Sequence, residues 1–345
     1  MSRRTIVSLI TILLLALLIF ISQKEIVHAW KLMSNANLAV LALLIPLQIL
    51  TYYAVGEMMF SYLRAKGSLN NVSRFTLTRM ALELNFVNHL LPSGGVSGVS
   101  YMTWRFGHLK VSPAKSTMAQ LVRYIVGFMA YLLLLFVAVI VITLDSGADR
   151  MIILSTSFVT CTIVFFIIFS LYIIHDAGRL RSFAHWATRS VNKISSFVSR
   201  RPRRVVAYER VEHFLLEFRS DYRELMRDKR VLIKPFLWGL LFNIADTTMF
   251  LIGFWALGYT INPAAIIIAY GLASFAGFLL FTPGGAGAYE AIMISVLSAS
   301  GAAREASIAA VVLVRVILLL GTIVTGYIFY QLTVMEHGKS PLKRQ

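Results

Sequence analysis

Apolar positions in this chain do not recur at the spacing of one helix stripe or one strand face; they run on for about five helical turns, stop, and begin again. Six such runs, at residues 5–22, 37–55, 118–144, 151–174, 236–257 and 306–334, are each long enough to cross the roughly 30 Å hydrocarbon core of a bilayer as a helix. Two further apolar regions, 75–108 and 264–300, are broken in the middle. Their centres read Leu90-Leu91-Pro92-Ser93-Gly94-Gly95 and Phe281-Thr282-Pro283-Gly284-Gly285-Ala286-Gly287. Proline removes a backbone donor and glycine permits reversal, so neither centre continues as a straight helix. The pattern predicts two helical hairpins that enter the membrane and turn back. Arg3 and Arg4 precede the first run, and Val27-His28-Ala29 has the look of a cleavage site. That run is longer than a signal-peptide core and the site lies past its end, so the expectation is a retained span.

Composition narrows the class. Of 345 residues, 58% are hydrophobic and 14% charged, with a mean hydropathy of +0.73, whereas soluble proteins carry about a quarter charged residues. No long stretch lacks a candidate span, which excludes a soluble enzyme on a single anchor. Unbroken apolar runs also exclude a transmembrane β-barrel, whose strands alternate. The expected fold is all-α: a polytopic integral membrane protein with six full spans and two re-entrant hairpins. The single cysteine, Cys161, sits inside an apolar run, and no CxxC or HExxH occurs, so neither a disulfide framework nor a metal or redox cofactor is expected.

Charge sets the orientation. Lys and Arg residues outside the spans fall 27 on one side against four on the other, which places both termini in the cytoplasm. Each half of the chain then reads span, span, hairpin, span, with opposite starting directions. The first half is 1–144, its hairpin entering from the cytoplasm. The second is 145–345, its hairpin entering from outside and a basic segment at 175–230 leading into it. Two halves of equal order and opposite topology are the layout of inverted-repeat transporters, whose sites form near the midplane from broken helices.

Ionisable residues at membrane depth mark the interior, because each costs about 2.5–3.5 kcal/mol at a helix centre on insertion scales. They are Arg79, Glu83, Arg105, Arg123, Asp246, Glu290 and Arg315. Helices restarting near Val96 and Ala286 would aim free N–H groups at the membrane middle, where glycines let an anion approach. Tight hairpin packing explains the same glycines without a ligand. Glu290 falls in the first turn of the returning helix, where its charge suits the dipole and an arginine partner, Arg123 or Arg315. A buried structural ion pair explains such residues equally well, and Arg79 and Arg105 have the alternative of reaching the cytoplasmic face. Asn85, Asn88 and His89 precede the first break and suit recapping of freed carbonyls.

Within 175–230, Leu180, Phe183, Trp186, Val191, Ile194 and Val198 follow helical spacing among basic residues, the pattern of a helix on the inner leaflet. Arg200-Arg201-Pro202-Arg203-Arg204 interrupts it, and a second amphipathic helix carries Val211, Phe214, Leu215, Phe218, Tyr222 and Leu225. Anionic lipid accounts for this charge, and no nucleic acid is required.

The second break and its sequel, Phe281 to Ala291, resembles the Pro-Gly-Gly-x-Gly-x-x-Glu signature of the lysylphosphatidylglycerol synthase transmembrane family. Leu91-Pro92-Ser93-Gly94-Gly95-Val96-Ser97-Gly98, followed by Arg105, is similar to the family's earlier Pro/Gly-rich motif. The resemblance implies a stand-alone, flippase-like member in the bacterial inner membrane, moving aminoacylated or other lipids between leaflets. The large soluble aminoacyl-transfer domain of the synthases has no counterpart before Gln345, so lipid synthesis is not expected. The leading expectation is a translocase, not an enzyme, for an anionic or aminoacylated phospholipid or a polyprenyl-phosphate lipid, working by rocking of the two halves. Its substrate-binding set is Pro92, Ser93, Gly94, Gly95, Arg105 and Arg123 in the first half and Pro283, Gly284, Gly285, Gly287, Glu290 and Arg315 in the second. The rival readings are a scaffold whose basic segment recruits a cytoplasmic synthase, and a membrane-embedded transferase using lipid-linked sugar. Self-association of the chain is compatible with each.

Overall fold

The computed structural model describes residues 27, 30–34, 36–90, 96–145, 150–183, 185–186, 188–189, 208–279 and 287–337. Every regular element among them is helical. In chain order the main helices are α1 (Leu38–Leu41), α2 (Leu44–Ala65), α3 (Arg74–Leu90), α4 (Val96–Gly107), α5 (Pro113–Asp145) and α6 (Arg150–His175). They continue with α7 (Tyr208–Arg227), α8 (Ile233–Ala256), α9 (Pro263–Leu279), α10 (Ala288–Ala299) and α11 (Arg304–His337). Among the described residues, five stretches are long and apolar enough to cross a membrane: Leu38–Ala65, Pro113–Leu144, Thr156–His175, Lys229–Ala256 and Arg304–Glu336. The chain is an all-α polytopic membrane protein. The expected span 5–22 lies outside the described residues, as do both Pro/Gly centres, 91–95 and 280–286.

Hydropathy alone ends the second span at Val55, because Glu57 follows. The structure carries α2 ten residues further, since Glu57 is buried against Arg64 one face down the same helix and Ser61 donates to the Glu57 carbonyl. A polar residue satisfied inside its own helix does not end it. Helix boundaries elsewhere follow local chemistry. Asn262 caps α9 by accepting from Ala264 N at 2.9 Å, with Pro263 at the first helical position. At the far end of α8, Gly258 takes φ +80 and Tyr259 N donates to the Phe254 carbonyl at 3.0 Å, closing the helix.

Both interrupted regions fold back on themselves. In the first, Gly98 of α4 lies against Leu84 and Asn88 of α3, and Tyr101 and Arg105 lie against Glu83, so the two helices run antiparallel. In the second, α9 and α10 pack along one another. Each hairpin belongs to a different apolar cluster. One gathers α3 and α4 with the later half of α2, the start of α5 and the end of α11. The other gathers α9 and α10 with α1, the later halves of α5 and α8, and the beginning of α11.

Helix α11 joins the two clusters. Near its end Phe86 meets Tyr330 and Tyr327, with Gly326 lying against Phe86 and the Leu82 carbonyl; near its middle Gln48 of α2 donates to the Leu318 carbonyl at 2.7 Å. Nearer its start Arg315 meets Glu290 of α10. Helix α3 runs against α11, Arg79 meeting Thr333 and Phe86 meeting Gly326, so that its C-terminal end lies toward the earlier part of α11. Helix α6 is held loosely by comparison, and Phe158, Phe165, Phe166 and Phe169 on its surface are exposed, as suits contact with lipid acyl chains.

Close helix crossings depend on glycine at α9. A Cβ added to Gly271 falls 1.5 Å from the Tyr131 hydroxyl, which is itself committed to the Ile267 carbonyl at 3.0 Å. Gly271→Ala is expected to cost about 1–3 kcal/mol, the range for overpacking a filled core. Tyr131→Leu in the same chain removes the hydroxyl and the two ring carbons that would stand 2.1 and 2.6 Å from the new Cβ, and should recover much of the loss. Thermal unfolding of the two single variants and the double variant in detergent measures this; additive losses would contradict it.

The basic segment departs from its expected position in one respect. Phe218, Tyr222 and Leu225 of α7 are buried in the first cluster beside Ile174, and Lys66 of α2 meets Glu224 at 3.1 Å. The apolar face of α7 therefore packs on protein. Burial holds the Asp221 carboxyl of α7 above the usual carboxylate range, against the pull of Lys115. In the preceding helix Leu180 is buried while Phe183 and Trp186 are exposed, and residues 190–207 lie outside the described set.

Candidate functional site

Two charged assemblies and one isolated arginine occupy the interior. The first assembly centres on Glu83, whose side chain is fully buried. Its Oε1 accepts from Arg79 Nε at 3.0 Å and from the Thr333 hydroxyl; its Oε2 accepts from Arg105 Nε at 3.0 Å and from the Tyr101 hydroxyl at 2.8 Å. Arg79 continues to both oxygens of Glu336 at 3.0 Å. Two arginines and two carboxylates thus balance, and every lone-pair direction of Glu83 is occupied. The hairpin supplies Arg79, Glu83, Tyr101 and Arg105, and α11 supplies Thr333 and Glu336. Arg105 is nearly buried in this network and does not reach outward.

The second assembly lies at the start of α10. Gly287 takes φ +89, a region glycine enters without cost, and its N–H donates to Glu290 Oε2 at 2.7 Å. Glu290 so caps its own helix from the third position. Its other oxygen accepts from Arg315 Nε at 2.7 Å. The Arg315 guanidinium lies 4.2 Å over the Tyr289 ring, and Tyr289 stacks on Phe250 of α8. Of the two partners foreseen for Glu290, the structure selects Arg315.

This pair makes a measurable claim. Its side chains are about one-fifth exposed, so the charge-assisted bonds are only partly screened. Glu290→Gln should weaken the cap and the pair together, at about 1.5–3 kcal/mol. Hydrogen exchange should show the first turn of α10 losing protection while α3 and α4 keep theirs. Unchanged exchange at Gly287 and Ala291, whose N–H groups are bonded to Glu290 Oε2 and to the Gly287 carbonyl, would contradict the assignment.

Around this pair stand residues that the sequence did not single out for the site. Asp246, close to the middle of α8, faces the Tyr270 hydroxyl of α9 and lies within electrostatic reach of Arg315, Tyr289 and Tyr52. Ser274 of α9 sits between Tyr270 and Tyr289. His89, at the end of α3, donates from Nδ1 to the Asn85 carbonyl at 2.8 Å and is also within reach of Arg315. Arg315 is thus the level at which the end of the first hairpin helix and the start of the second returning helix come together.

Arg123 stands apart. It is 93% buried on the membrane-spanning α5, since only 7% of its surface is accessible. Among the described residues no carboxylate pairs with it, its Nε has no hydrogen-bond partner, and its guanidinium lies 4.4 Å from the centre of the Tyr124 ring. One turn before it, Gln120 donates to the Val99 carbonyl at 3.1 Å, near the start of α4, and leaves its Oε1 buried without a partner. Asn88, against Gly98, has an equally unpartnered Oδ1. Buried polar atoms without partners are rare in folded proteins, and here one lies near the end of α3 and two on α5, which packs against α4. Pro92, Ser93, Gly94, Gly95, Pro283, Gly284 and Gly285 lie outside the described residues. A separate groove of about 470 Å³, lined by Ser295, Ser298 and Arg304, opens at the start of α11 away from these charges. No group of three or more metal-ligating side chains occurs among the described residues.

Comparison with known proteins agrees with this architecture. The model of the family described as the lysylphosphatidylglycerol synthase TM region matches residues 5–326. A UPF0104 membrane protein from Methanothermobacter thermautotrophicus is 27% identical over 250 residues, 72% of each chain. No solved structure matches.

Proposed function

The chain belongs to the lysylphosphatidylglycerol synthase TM-region family, and on that premise we propose that it is a translocase carrying a phosphate-bearing lipid between leaflets. Arg123 carries the proposal. A guanidinium buried at membrane depth is expensive, and the cost is ordinarily met by a carboxylate or by a ligand. Arg79, Arg105 and Arg315 have carboxylates; among the described residues Arg123 has none. A planar fork of donors matches two phosphate oxygens, which would enter as the missing partner. The helix starts of α4 and α10, each following a Pro/Gly break, would add N–H groups on either side. Glu290 and Arg315 act in this reading by fixing the second returning helix, and the Glu83 network by fixing the first.

Acyl chains would stay in lipid while the headgroup crosses, with the halves arranged as inverted repeats and both termini cytoplasmic. No covalent step is needed. The scaffold reading fares less well, because the bundle already covers the apolar face of α7. The test is leaflet exchange of fluorescent phosphatidylglycerol, and of a short polyprenyl phosphate, in liposomes holding the purified protein. Exchange at least about tenfold faster than in protein-free liposomes, for one probe or both, is expected. Rates equal to protein-free liposomes for both would end the proposal.

A further inference from the structure

Asp246 is the acid that the two charged assemblies leave over. It lies near the middle of a membrane-spanning helix, where an ionised carboxylate is costly unless paired. Among the described residues it forms no ion pair; the arginine within reach, Arg315, is bound to Glu290 at 2.7 Å. Four neighbouring helices bring a hydroxyl or a charge within electrostatic reach of it, while the turn Lys229–Leu232, with Lys229 and Arg230, packs on α8. Helix α9 brings Tyr270, α10 brings Tyr289, α2 brings Tyr52 and α11 brings Arg315. Helix α5 places Tyr131 beside the Tyr270 ring at 6.2 Å, and its contact with α8 runs through Gly127 and Asn243, which do not titrate. Helix α1 contributes only Leu, Ala and Val.

A carboxylate in this setting has hydroxyl donors in view and no fixed cation to cancel it. Taking up one proton cancels the charge without any other change in composition. From this arrangement we infer that Asp246 is the proton-binding site that couples lipid movement to a proton gradient, an inference that rests on the translocase reading. In its ionised form Asp246 competes with Glu290 for Arg315 and attracts the hydroxyls of Tyr270 and Tyr289. In its neutral form it releases Arg315 wholly to Glu290. The proton therefore changes what holds the second hairpin, α9 and α10, against α8. Such a ligand shifts a two-state element only by its difference in affinity between the states, and a charge cancelled at membrane depth supplies a large one.

The experiment uses the full chain in liposomes with the membrane potential clamped at zero. The distribution of the fluorescent lipid that exchanges fastest is read after a pH step of one unit, which corresponds to a tenfold proton ratio. One proton per lipid predicts a leaflet ratio shifted about tenfold, and Asp246→Asn should bring that ratio back to about one. Exchange without any response to the pH step, or an Asp246→Asn chain that still concentrates lipid, would overturn the coupling and leave the translocase standing. No exchange in the unaltered chain at all would remove both. Concentration driven by a sodium step at constant pH would overturn the proton assignment. If the Asn variant does not exchange lipid, infrared difference spectra of the purified protein decide. A carboxyl band that appears on acidification and vanishes in Asp246→Asn supports the inference, and a band that persists refutes it.

Discussion

Arg123→Met should abolish most lipid exchange while leaving the protein at least as stable as before. The two halves of this expectation have one cause. A buried charge without a partner is destabilising, and replacing buried ionic groups with apolar ones of similar volume is often neutral or favourable. Met keeps the unbranched, flexible stem of the arginine and so fills much of the same space. If the guanidinium serves a phosphate, its removal forfeits charge-assisted bonds of about 1.5–3 kcal/mol, a loss of roughly ten- to a hundredfold in rate. Exchange and thermal unfolding measured on the same preparation separate the readings. Lost exchange with an unchanged or raised Tm supports a ligand role. Lost stability would show that Arg123 holds the fold together instead, and exchange at the unaltered rate would remove it from the site.

Glu83→Leu carries the largest expected effect on stability. Two arginines, a tyrosine and a threonine converge on this one carboxylate. Removing it leaves Arg105 buried without a counter-charge, and breaking such a pair from one side costs about 3–5 kcal/mol. Arg79 suffers less because Glu336 remains at 3.0 Å. The double variant Glu83→Leu with Arg105→Leu should therefore be more stable than Glu83→Leu alone, since the remaining Arg79–Glu336 pair is balanced. Thermal unfolding in detergent tests the ordering. A single variant within about 1 kcal/mol of the unaltered protein, or a double variant less stable than the single, would contradict the network.

Long apolar runs were legible because membrane spans need nothing but length and hydropathy. The hairpins were legible from their Pro/Gly centres, and the place of Glu290 in the first turn of α10 followed from its distance to Gly287, although its cap on the Gly287 N–H did not. The pairing of Arg79 with Glu83 is written in their four-residue spacing. Other relations were hidden for physical reasons. Arg105 reaches Glu83 only because α4 folds back along α3, and Thr333 reaches it from a helix 250 residues away. The choice of Arg315 over Arg123 for Glu290 depends on how α10 crosses α11. Asp246 was visible as a charge in an apolar run, but its tyrosine neighbours come from α2, α9 and α10, and no spacing announces them. That no carboxylate among the described residues pairs with Arg123 is a property of its three-dimensional surroundings, so no motif encodes it. Hydropathy misjudged the end of α2 at Glu57, where a local ion pair lets the helix continue.

Helix α11 holds Glu290 through Arg315 toward one end and Glu83 through Thr333 near the other, and between them Gly321 and Gly326 admit the Gln48 amide and Phe86 to closer than any side chain would allow. Spinning about its own axis would swing Thr322, Thr325 or Tyr327 into those two notches, so twisting is sterically barred. In the translocase reading proposed above, α11 would act as a stiff beam seated on α2 and α3 at its two glycines, so that its contacts with Glu290 and with Glu83 would shift together.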